Sequence, residues 1–168
     1  PHTHEPTPGQ MSAIANTDVY FEVGSGVEFE LVWLDSLTAQ NAAMQVVDCS
    51  TGIDLLDGDP HIWNSPFNAE TIVRNIAEGL SSLDPANTER YERNGEAYAA
   101  ELRALNEEIV ELFSGAENRH FLVYHPSFGY LAEEYDLVQL AIEEEGKATT
   151  PQTLQRVIDT AIEHNLGY

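Results

Sequence analysis

Asp84-Pro85-Ala86-Asn87-Thr88-Glu89-Arg90-Tyr91-Glu92-Arg93-Asn94 opens the stretch whose reading decides the fold. Aspartate followed by proline is a cap and a first-turn residue, and the apolar positions Tyr91, Tyr98, Leu102, Leu105, Ile109 and Leu112 then recur at helical spacing to Phe113. The pattern predicts a helix of roughly 28 residues, about 42 Å at 1.5 Å per residue. One compact domain of this size has no room for it. A helix that long, charged on its outer face, reads as a spine between two lobes. The alternative, one arm of a coiled coil, is weakened by the loss of heptad spacing around Ala97 to Ala100.

Strands and helices alternate on both sides of this spine. Upstream, the extended segment Pro1-His2-Thr3-His4-Glu5-Pro6-Thr7-Pro8 leads into a short helix capped by Thr7. A strand at 18–23 and a helix from Val27 to about Asn41, with Trp33 at its middle, come next. The continuous apolar run 44–49 has the character of a buried parallel strand. A polar, glycine-bounded connection then delivers the chain to Asp59-Pro60-His61-Ile62-Trp63, and an amphipathic helix occupies 68–83. Downstream, an apolar strand at 120–124 runs into His125-Pro126-Ser127-Phe128-Gly129-Tyr130. It is followed by a helix at 130–135, a strand at 137–142, the acidic loop 143–146 and a helix from Thr150-Pro151 to about His164. This order predicts an α/β fold of two lobes with parallel sheets joined by one long rigid helix, divided as 1–83, 84–115 and 116–168. In such folds ligands bind beyond the carboxyl ends of strands. His61 and His125 both stand there.

Composition narrows the partners. Twenty-nine acidic against seven basic residues give a formal charge of −22, which repels nucleic acid and anionic membrane surfaces and attracts cations. Such acidity equally fits a solvated surface in a salty environment, and both readings stand. Cys49 is the single cysteine, so neither an intrachain disulfide nor a cysteine-cluster metal site is available. No apolar run is long enough to span a bilayer, and no signal peptide is visible. A start at Pro1 rather than methionine implies processing or trimming upstream.

His2, His61 and His125 lie in three separate loops, each beside a proline that restricts the backbone. Pro60 fixes the turn before His61, and Ile62 with Trp63 supplies an apolar anchor behind it. Imidazoles converging from stiff loops suit zinc, at about 2.0–2.1 Å per nitrogen, completed by a carboxylate or water. Three unrelated histidines are the alternative. His4 reads as a flanking group, and His120 and His164 as structural. Three histidines with an open position would also suit a metallohydrolase, but no H-E-x-x-H helix or placed general base accompanies them.

Four of these segments carry a resemblance: Pro1-His2-x-x-Glu5-Pro6-Thr7-Pro8, Asp59-Pro60-His61-Ile62-Trp63, Tyr91-Glu92-x-Asn94-x-x-x-Tyr98 and His125-x-x-Phe128-Gly129-Tyr130. Together they resemble the zinc- and manganese-binding solute-binding proteins of ABC importers, the ZnuA/TroA-like family. The resemblance implies a receptor outside the cytoplasm, not an enzyme, that holds Zn²⁺ or Mn²⁺ in the cleft between two lobes and hands it to a permease. It implies His2 and His61 as ligands from the first lobe, His125 from the second, and a fourth carboxylate ligand beyond residue 168. A metal-scavenging adhesion lipoprotein would share this site. It also implies that both lobes are incomplete here, so the expectation is exposed sheet edge, self-association, and weak metal binding in which water, Glu5 or a second copy fills the fourth place. Zinc is favoured because nitrogen-rich sites rank manganese below it.

Overall fold

The structure, a computed structural model, describes residues 5–143, 150–164 and 166. Its first helix, α1 (Pro8–Ile14), starts in a capping box: Thr7 Oγ1 accepts from Gln10 N, and Gln10 Oε1 accepts from Thr7 N at 2.8 Å. Strand β1 (Val19–Glu22), helix α2 (Glu28–Gln40) and strand β2 (Gln45–Asp48) form a β-α-β unit, with Val19 opposite Gln45 and Glu22 opposite Asp48 in parallel register. Helix α3 (Pro66–Leu83) is capped by Ser65, whose hydroxyl accepts from Asn68 N. A single 3-10 turn at Pro85–Asn87 precedes helix α4 (Thr88–Ser114). The proline therefore opens that turn rather than the long helix itself, which spans 27 residues or about 40 Å.

Strand β3 (His120–Val123), helix α5 (Gly129–Glu134) and strand β4 (Val138–Ala141) repeat the parallel arrangement, with His120 opposite Val138. Helix α6 (Pro151–Glu163) follows, capped by Thr150. Among the described residues the two sheets have two strands each and share none. No described helix is long and apolar enough to cross a membrane.

Helix α4 touches both lobes. Its first half lies along α3, where a Cβ on Gly95 would meet the Ala77 Cβ at 3.2 Å, so the two helix backbones approach closely. Its second half meets the other lobe: Tyr135 Oη donates to Asn106 Oδ1 at 2.7 Å, and the rings of Phe113 and Tyr135 lie 6.0 Å apart. On the first sheet α3 sits low, because Gly79 leaves space for Val47 and Phe21; a Cβ there would come within 2.9 Å of Val47.

The run 44–49 pairs in parallel as expected, but its burial differs from the sequence reading. Met44 and Cys49 at its ends are buried, whereas Gln45, Val46 and Asp48 are exposed. A central strand covered on both faces would bury all of them. Helix α2 is apolar around most of its circumference. Leu37 is fully buried while Leu31 is 76% exposed and Val32 is exposed beside it.

Candidate metal centre

Strand β2 ends at Asp48, and residues 49–60 carry the chain across to His61. Ser25 Oγ donates to the Pro60 carbonyl at 2.6 Å, which fixes the turn just ahead of the histidine. His61 caps a 3-10 turn, Ile62–Asn64, that runs into the Ser65 cap of α3. Ile62 is fully buried and anchors this turn. Trp63 does not share that role: it is 46% exposed, and its ring stands edge-on to the His61 imidazole at 5.3 Å. The indole thus shapes the site wall rather than the core.

His125 follows β3 on the opposite lobe. Backbone pairing continues past the strands, with Glu143 N donating to the Tyr124 carbonyl at 2.8 Å. That pairing brings the Glu143 carboxylate to 3.6 Å from His125 Nδ1. On the first lobe, Asp59 Oδ1 lies 2.7 Å from His61 Nδ1 and accepts the His61 backbone N–H at 2.9 Å. Each imidazole therefore has a carboxylate on its Nδ1 side. An ionised carboxylate only accepts, so the proton of the neutral His61 ring belongs on Nδ1, and Nε2 keeps its lone pair.

The two Nε2 atoms face each other at 3.2 Å. Two ring nitrogens that close need either a proton shared between them or a cation bridging them. Nitrogens at 2.0–2.1 Å from one tetrahedral zinc would lie about 3.3 Å apart, so the separation matches an edge of such a site. His61 is 9% exposed, and the pair opens onto a cavity of about 360 Å³ whose walls include Phe29, Trp63, Asn64 and Ser127.

The remaining candidates fall elsewhere. His2 and His4 lie outside the described residues. Among the described residues no trio of His, Cys, Asp or Glu side chains is arranged to hold a metal ion. His120 sits at the far end of β3 from His125, and its ring stacks on His164 at 3.7 Å between centroids, the latter capping the C-terminus of α6. Cys49 is buried, and burial followed by the nearby carboxylates of Asp48, Glu30 and Glu22 pushes its thiol up to about 11, so it stays protonated and is a poor metal ligand. Sequence reasoning did not find Asp59 and Glu143 as partners of the imidazoles. The Asp-Pro-His spacing was a usable signal for the first, while the second depends on strand pairing.

Comparison with known proteins shows similarity to metal-uptake proteins. The chain is 32% identical to the high-affinity zinc uptake system protein ZnuA of Bacillus subtilis (strain 168), over 99% of this chain and 58% of that protein. It is also 32% identical to the manganese-binding lipoprotein MntA of Halalkalibacterium halodurans, again over 99% of this chain and 58% of the relative. A crystal structure of ZnuA superposes with a TM-score of 0.91 at 42% identity, covering 98% of this chain and 66% of that one. The chain thus spans a little over half the length of the curated relatives it matches. The profile described as zinc-uptake complex component A, periplasmic, matches residues 1–168. With two α/β lobes on a long helix and two imidazoles meeting between them, the chain belongs to this ZnuA family, whose members are metal-binding transport proteins and not enzymes.

Proposed function

We propose that the chain is the metal-holding part of an extracytoplasmic solute-binding protein that captures Zn²⁺, with Mn²⁺ second, and delivers it to an ABC permease. One observation carries the reading: the Nε2 atoms of His61 and His125, one from each lobe, stand 3.2 Å apart at the carboxyl ends of parallel sheets. We assign His61 and His125 as ligands, with His2 as the third and a carboxylate or water completing the set. The division into a first lobe over 1–83, a connecting helix over 84–115 and a second lobe over 116–168 is part of the same proposal. It is supported by the packing of α4 along α3, by its contacts with Tyr135 of the other lobe and by the separate sheets. Relatives named for zinc and for manganese leave both ions open, and the nitrogen-rich pair favours zinc.

Competitive titration of the 168-residue chain with Zn²⁺ and Mn²⁺ tests this. The expected order is zinc tighter than manganese, with affinity falling in mild acid because protons compete for imidazole nitrogen. His61→Ala and His125→Ala should each lower zinc affinity at least as far as the roughly 10–100-fold typical of losing a ligand's supporting partner. His120→Ala should leave it unchanged. Equal losses for His120→Ala and His125→Ala would overturn the ligand assignment, and tighter manganese binding would reverse the order of ions. We also propose that the isolated chain self-associates through the exposed apolar side chains Leu31, Val32, Leu122 and Val138.

A further inference from the structure

Asp59 makes more contacts than a partner for one histidine needs. Its Oδ1 accepts both the backbone N–H of His61 and the His61 ring nitrogen, at 2.9 and 2.7 Å. Its Oδ2 accepts the backbone N–H of Gly129 at 3.1 Å, across the cleft on the opposite lobe and four residues past His125. Its carbonyl accepts from the Tyr130 hydroxyl at 3.0 Å, and that hydroxyl accepts from Leu56 N at 2.9 Å. Gly129 has no room for anything larger: a Cβ there would come within 2.3 Å of Asp59 Oδ2. Tyr130 is buried. The link is therefore a connected, partly buried set of hydrogen bonds that joins the two loops carrying the histidine pair.

We propose that Asp59 is a positioning residue for both ligand loops: one carboxylate oxygen orients His61, the other holds Gly129, and the two Nε2 atoms are thereby set facing each other before a cation arrives. The inference rests on the metal reading above. The physical advantage is pre-organisation, because a ligand pair already at a tetrahedral edge spends little binding energy on ordering. Because the same carboxylate touches both lobes, a disturbance at Gly129 should be felt at His61, although Gly129 touches no ligand nitrogen.

The test compares the wild-type chain with Asp59→Asn, Gly129→Ala and the double variant. In the metal-free protein, nitrogen-15 spectra should show His61 with its proton on Nδ1. Asp59→Asn should mix the two tautomers and speed hydrogen exchange of the Gly129 amide, because an amide side chain offers one acceptor where the carboxylate offers two. Zinc titration should show each single variant roughly 10–100-fold weaker and the double variant no weaker than the worse single one. An unchanged tautomer and unchanged Gly129 exchange in Asp59→Asn would overturn the proposal. So would additive losses, which would mean that the two residues act separately. Should the wild-type chain bind no zinc, the metal reading fails, while the metal-free spectra still decide what Asp59 does.

Discussion

At the residue scale, the arrangement around His61 separates an anchor from a wall. Ile62 is fully buried and Trp63 is half exposed, although both are large and adjacent. Ile62→Ala should therefore lower stability by about 2–5 kcal/mol, through lost burial and the cavity left behind. Trp63→Ala should cost markedly less stability while altering the cleft beside the imidazole. Denaturant unfolding of both variants checks this, and equal losses would contradict it. The sequence named His61 and His125 because each follows an apolar strand and neighbours a proline, features that are local. It misjudged Trp63 because hydrophobicity does not say which side of a turn a side chain takes. Asp59's bond to Gly129 and Glu143's approach to His125 were not legible. The first joins residues 70 apart in sequence, and the second follows only from β3–β4 pairing.

At the element scale, two helix starts were legible because their caps are written in local residue types: Thr7-Pro8 and Thr150-Pro151 each start the helix they predict, whereas Asp84-Pro85 opens a 3-10 turn ahead of α4. Strand burial was not, because it depends on what lies over each face. At the carboxyl ends of β1 and β2, Glu22, Glu30 and Asp48 gather. Glu30 is buried and accepts the Val23 and Gly24 N–H groups at 2.7 and 3.1 Å. Burial, then the charges of Asp48 and Glu30, raises the Glu22 carboxyl above its ordinary range. A carboxyl raised on folding favours its protonated form in the native state. Its charge therefore weakens the fold above the native pKa, and the penalty is relieved as pH falls through it. Glu22→Gln should raise the melting temperature at neutral pH, and the gain should vanish in acid where Glu22 is itself protonated. A gain that persists or grows in acid would show that charge is not the cause.

At the scale of the whole molecule, a charge of −22 on 168 residues makes self-repulsion a leading destabilising influence. Added salt should raise the melting temperature by screening it, and sedimentation in the same series should show association growing as the charges that keep copies apart are screened. A melting temperature that is flat or falls with salt would contradict this. Two lobes each bring one imidazole to a common point, and the proposed role requires that a single divalent cation sit between His61 and His125. The most direct measurement is a crystal of the zinc-loaded chain, with diffraction recorded on both sides of the zinc absorption edge. The expected result is an anomalous peak about 2.0–2.1 Å from both Nε2 atoms. A peak touching neither, or one of them alone, would contradict it.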